Sequence, residues 1–195
     1  MKNSRYDLTQ GSVLANLLRM AVPSFCSQLL QDLFNVVDMI FVGRLGAPAL
    51  AAVAMSANLL RLIGILGHGI STGTVILVAQ SLGANKPVDG QRIAMQALIL
   101  SLICGLGVGC LGYPLAESGL RLLGAEKDVI LLGIGYLQVT LLGLVLMFLS
   151  RTLNAIFRAA GDAITPMVVL ICSTILNIVL DPLLIFGIWF FPPLG

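Results

Sequence analysis

Two short polar patterns interrupt an otherwise apolar chain: Asn35-Val36-Val37-Asp38 and Asn177-Ile178-Val179-Leu180-Asp181. On a helix each sets an amide about one turn away from a carboxylate. A carboxylate pair in a low-dielectric cavity cannot ionise cheaply on both members. Such a pair is suited to taking up a proton, or to holding a small cation with the amide oxygens. Pro182 adds to this chemistry, because it leaves the carbonyl of Ile178 without its helical partner, a further oxygen ligand. The plainer reading is that these are polar pairs tying helices together. The functional reading is preferred, since acids inside a membrane are expensive and generally serve a purpose.

The remaining polar residues of the first pattern form a stripe. At about 100° per residue, with Gln28 at zero, Gln31 falls near −60°, Asp32 near +40°, Asn35 near −20° and Asp38 near −80°. All five lie within an arc of roughly 120°, which must face protein or water rather than lipid. Near Asp181, the residues Ser173, Thr174 and Asn177 form a second stripe within roughly 100°. Of nine acidic residues, Asp32, Asp38 and Asp181 are the three that fall inside apolar stretches. Asp32 lies nearer mid-membrane, with no counterpart beside Asp181.

These residues need membrane helices to position them. The chain has 195 residues, 58% hydrophobic and 10% charged, with a mean hydropathy of +1.02, whereas a soluble domain carries about 25% charged residues. Stretches of around 20 apolar residues predict five spans, over about 13–42, 50–82, 93–115, 129–152 and 166–187. The fold class is therefore an all-α polytopic membrane protein. Pro23 inside the first span predicts a bend there. Gly64, Gly67, Gly69 and Gly73 in the second span, and Gly105, Gly107 and Gly109 in the third, predict close helix contacts. Basic residues concentrate on the N-terminal side: Lys2, Arg5, Arg19, Lys86, Arg92, Arg151 and Arg158, against Arg44, Arg121 and Lys127. That bias predicts a cytoplasmic N-terminus in the inner (plasma) membrane. On this orientation Asp38 and Asp181 share a depth of about 7–9 Å below the outer end of two parallel helices.

Other chemistries are poorly supported. Cys26, Cys104, Cys110 and Cys172 stand singly in apolar surroundings, as small packing residues rather than a metal or redox site. There are no paired metal ligands and no nucleophile–base arrangement, so an enzyme is not expected. With a net charge of +2 and scattered basic residues, a nucleic-acid partner is not expected either. The opening MKNSRYDLTQGSVLANLL is polar for too long to read as a signal peptide. His68 reads as a residue hydrogen-bonding across helices or facing a cavity, and Arg61 as one that snorkels or partners an acid. The end on Pro192-Pro193-Leu194-Gly195, directly after a span, reads as a piece of a longer protein.

The stretches NVVDMIFVGRLG, LVAQSLGANK, NAIFRAAGDAITPM and NIVLDPLLIFG, in this order and spacing, resemble the multidrug and toxic compound extrusion (MATE) transporters across nearly the whole chain. The resemblance implies a secondary antiporter of two six-helix lobes, of which this chain supplies about five helices of the N-terminal lobe. The sixth helix and the C-terminal lobe are missing partners. It implies export of amphipathic, often cationic, drug-like compounds in exchange for Na+ or H+, with no cofactor. It also implies a cation or proton site at Asp38, Asn177 and Asp181 and a bending point at Pro23. Polar cavity positions correspond to Gln31, Tyr136 and Asn154, which join Asn35 and Thr174 of the two stripes. Asp32, Arg61 and His68 have no place in that pattern. The alternatives are a lipid or oligosaccharide-lipid flippase of related architecture, or a non-transporting membrane scaffold subunit.

Overall fold

The computed structural model describes residues 12–44 and 46–185, with the backbone alone for Asp38, Phe41, Val42 and residues 181–185. All the described secondary structure is helical: α1 (Val13–Gly43), α2 (Ala47–Gly83), α3 (Pro87–Leu122), α4 (Lys127–Ala159) and α5 (Ile164–Ile185). Four of these, α1 to α4, are long and apolar enough to cross a membrane; the fully described part of α5, Ile164–Leu180, is shorter. The helices outrun the spans expected from the sequence. The gap left between the expected spans ending at 115 and beginning at 129 shrinks to four residues, and α4 continues through Arg158. Hydropathy marks where lipid begins, while hydrogen bonding lets a helix run on into the polar zone.

The chain divides into two compact units, one from Ala51 to Gly161 and one combining the chain up to Leu50 with the chain from Asp162 onward. In the Ala51–Gly161 unit, α3 packs along α4 around Ala116, Leu120, Leu137, Leu141, Leu144 and Phe148. The seam is set by small residues on one side of α3: Ala97, Ser101, Gly105, Gly109 and Ala116 are all buried. A Cβ placed on Gly105 would stand 2.8 Å from the Val145 Cα, and one on Gly109 2.8 Å from the Leu141 carbonyl oxygen. In hydrocarbon there is little hydrophobic drive between helices, so this backbone-to-backbone approach supplies the packing energy. Gly64, Gly69 and Gly73 of α2 depart from the expectation of close contact, with nothing within 4 Å of an added Cβ, and so does Gly107 of α3. A Cβ there would meet nothing within 4 Å, because two residues past Gly105 is about 200° around the helix.

Polar side chains in this unit are mostly satisfied locally. Ser101 Oγ and Thr152 Oγ1 form a buried hydrogen bond between α3 and α4. Thr74 Oγ1 donates to the Ile70 carbonyl at 2.7 Å, and Ser71 Oγ to the His68 carbonyl at 3.0 Å. The Ser56 hydroxyl is buried without a partner among the described residues. The cysteines are free, with Cys26 and Cys104 half-buried and Cys110 and Cys172 exposed.

Candidate ion and substrate site

In the other unit α1 and α5 pack against each other. These are the helices carrying the Asn35–Asp38 and Asn177–Asp181 patterns. The structure divides the α1 polar stripe. Gln31 is half-buried, together with Met20, Ser24, Ser27, Phe34 and Val37, whereas Gln28, Asp32 and Asn35 are exposed. Among the exposed set, Gln28 Nε2 donates to Asp32 Oδ1 at 3.2 Å. That contact gives Asp32 a neighbour on its own helix and accounts for it without any partner on α5. On α5 the half-buried positions include Met167, Leu170, Ile171, Thr174 and Asn177, while Ser173 is exposed. Thr174 and Asn177 thus share the sheltered side of α5, and Gln31 occupies the sheltered side of α1. The side chains of Asp38 and Asp181 lie outside the described residues.

α1 continues as helix through Pro23. The hydroxyls around the proline turn back onto the main chain: Ser24 Oγ donates to the Met20 carbonyl and Ser27 Oγ to the Pro23 carbonyl, each at 2.8 Å. Such bonds compete with the helical ladder and soften it. A proline and two back-bonded serines therefore concentrate the weakest ladder of α1 within Met20–Ser27.

Tyr136 and Asn154 both belong to α4, in the Ala51–Gly161 unit, and both are exposed. Thr140 Oγ1 donates to the Tyr136 carbonyl at 2.8 Å. His68 is also in that unit, where Arg151 Nη1 lies 3.4 Å from its Nδ1. This is the cross-helix hydrogen bond expected for His68, with a partner that the charge bias had set on the membrane surface. Arg61, expected to snorkel or to partner an acid, is exposed.

The stretch NAIFRAAGDAITPM carries the turn from α4 to α5. Gly161, at φ +85°, stops α4 in a conformation that favours glycine. Asp162 then starts α5: its Oδ1 accepts from the backbone N–H groups of Ile164 and Thr165, both at 3.0 Å, and its Oδ2 from Thr165 Oγ1 at 2.6 Å. Burial acts to raise the Asp162 carboxyl, but these three hydrogen bonds favour the charged form and hold it below the ordinary carboxylate value. An acid two residues before a helix start, followed by Thr, was the available signal.

Among the described residues no group of three or more His, Cys, Asp or Glu side chains could hold a metal ion. The comparison with known proteins adds family membership. The family model described as MatE matches residues 23–183, which runs from Pro23 of α1 to Leu183 of α5. The chain belongs to the MatE family. Membership, with four helices long and apolar enough to cross a membrane, makes it a multi-pass membrane protein, and the relatives that it matches are named as transporters rather than enzymes. A relative from Bacillus subtilis (strain 168), named as a probable multidrug resistance protein YpnP, is 33% identical over 92% of the chain and 41% of its own length. A relative from Shewanella oneidensis, named as an FAD transporter, is 28% identical over 97% of the chain and 42% of its own length. A solved MOP superfamily transporter from Pyrococcus furiosus superimposes with a TM-score of 0.90 at 31% identity, over 97% of the chain and 42% of that structure. The chain thus spans about two-fifths of the length of these MatE relatives.

Proposed function

We propose that the chain forms most of the N-terminal lobe of a secondary active antiporter in the inner (plasma) membrane, with its N-terminus cytoplasmic. The transporter exports amphipathic or cationic drug-like compounds in exchange for Na+ or H+, and a second lobe completes its pathway. The observation that carries this reading is the MatE match running through both polar helices, which pack together in one unit. Helical spacing supports the choice of Asp38, Asn177 and Asp181 as the ion site. Position 38 has a bearing between those of half-buried Gln31 and Phe34, about 20° and 40° away respectively. Position 181 has nearly the bearing of Thr174, and is about 40° from that of Asn177.

In this mechanism a cation or proton neutralises the Asp38–Asp181 pair and favours a bent α1, with the flexion at Pro23 eased by the Ser24 and Ser27 back-bonds. Bending moves the sheltered side of α1 that carries Gln31 against that of α5 that carries Thr174, and cargo is released. The driving energy is the difference in ion affinity between the two conformations, since equal binding to both would shift nothing. The test is efflux of a fluorescent cationic dye from vesicles bearing the full-length transporter, driven separately by a Na+ gradient and by a pH gradient. Asp38→Asn and Asp181→Asn should each abolish the ion-driven component, and Asp32→Asn should leave it near the wild-type rate. Wild-type coupling in the Asp38→Asn/Asp181→Asn double variant would refute the mechanism.

A further inference from the structure

The Ala51–Gly161 unit has an unbalanced charge inside its helices. α2 contains Arg61 and His68 and no acid, and the one acid of α4 is Asp128 in its first turn. Arg151 Nη1 donates across to His68 Nδ1, for a guanidinium has only donors. His68 therefore carries its proton on Nε2 when it accepts this bond. Arg61 stands seven residues earlier on the same side of α2, about 10 Å along the axis. Among the described residues, the ion pair is Glu117 with Arg121, and none involves these three basic groups.

The depth of the pair matters. Arg151 is eight residues before the end of α4 at Ala159, about 12 Å by helical rise. Side chains on a helix lean toward its N-terminus, here away from that nearer end. His68 is fifteen residues before the end of α2 at Gly83, about 22 Å away. Arg151, one residue before the expected close of its span at 152, thus sends its guanidinium toward His68, an exposed residue within the second expected span, and a charged group drawn toward an apolar span without a counter-ion is costly and marks a ligand path. A simple helix–helix tie would use one of its five N–H donors. The other four, with the His68 Nε2–H, offer donors and no acceptor.

We propose that Arg151 and His68, with Arg61 adding positive potential, form a binding site for a phosphate group. The forked guanidinium suits a phosphate's paired oxygens, and the imidazole supplies a third donor from the neighbouring helix. The site is independent of the efflux mechanism proposed for α1 and α5. The phosphate can come from a lipid headgroup or from a water-soluble compound, and the experiment separates the two.

The 195-residue chain contains a single histidine, so this chain, free of a tag and labelled with 15N in the imidazole, reports on His68 alone. In phosphate-free dodecyl maltoside micelles, inorganic phosphate or phosphatidylglycerol is added in turn, with sodium chloride at matched ionic strength as reference. A saturable His68 shift with inorganic phosphate assigns the site to soluble phosphates, and one with phosphatidylglycerol alone assigns it to a lipid headgroup. Arg151→Gln should weaken the effective probe about tenfold or more, and Arg151→Lys, which keeps the charge without the fork, should weaken it less. No saturable shift of the wild-type signal with either probe, or an Arg151→Gln titration like the wild type's, would overturn the proposal. The wild-type titration decides even if a variant fails to fold.

Discussion

Substituting alanine at Gly105 tests the packing account most directly. The new Cβ would sit 2.8 Å from the Val145 Cα, 3.3 Å from the Val145 nitrogen and 3.5 Å from the Leu144 carbonyl oxygen, all backbone atoms. Carbon atoms in comfortable contact are about 3.5–4.0 Å apart, so α3 and α4 must separate by on the order of 1 Å. No rotamer change can relieve the clash, because α4 presents main chain at that point. Overpacking of this kind costs about 1–3 kcal/mol, and the weakened dispersion attraction along the seam is part of that cost. Gly109→Ala meets the Leu141 carbonyl oxygen at 2.8 Å and should cost a similar amount. The double variant should fall short of the sum, because one separation relieves both clashes. Gly107→Ala is the internal control, with nothing within 4 Å, and should gain slightly from helix propensity. The assay is unfolding in mixed detergent micelles followed by circular dichroism, paired with maleimide labelling of Cys104 in a background lacking the other cysteines. Cys104 is half-buried against the α3–α4 core, so separation should speed its labelling. If Gly105→Ala matched Gly107→Ala in both stability and labelling rate, the argument from backbone contact would be refuted.

Asp162→Ala should destabilise the start of α5 by about 1 kcal/mol, the usual worth of a helix-start acceptor, seen as faster amide exchange at Ile164 and Thr165. The carboxyl of Asp162 is lower in the folded state than in the unfolded one. Its contribution is therefore complete above about pH 4, the ordinary aspartate value, and is lost as pH falls through the folded-state value. The stability gap between wild type and Asp162→Ala should accordingly shrink on acidification, which unfolding at stepped pH would measure. Ser101→Ala or Thr152→Ala alone strands a buried hydroxyl and should cost about 1–3 kcal/mol. Replacing both, as Ser101→Ala/Thr152→Val, should cost less than the two single losses added together, as a double-mutant cycle of unfolding energies would reveal. Phe148→Leu should partly rescue Gly67→Ala in the same unfolding assay, since that new Cβ would lie 2.9 Å from the Phe148 ring, a side chain that can be shortened.

Much of the architecture was legible before any coordinates. Apolar runs longer than a bilayer needs, broken by Gly, Pro and Asn turns, give five helices in a fixed order because a backbone in hydrocarbon has almost no other way to satisfy its hydrogen bonds. The resemblance carried by NVVDMIFVGRLG and NIVLDPLLIFG agrees with the MatE match. Helix ends were less legible, as α3 shows by running seven residues past the expected close of its span at Leu115.

What sequence alone determined, then, is which residues share a helix and at what angle they stand, because the repeat of 3.6 is a property of the backbone. It could not say where around each helix the neighbour would lie. Only packing decided that Gln31 is sheltered while Gln28, Asp32 and Asn35 are open, and that Gly105 and Gly109 meet α4 while Gly107 meets nothing. Only packing brought Arg151 to His68, 83 positions apart in the chain. A helical wheel has no preferred direction until a second helix closes against it, and that direction is set by how small side chains let backbones approach.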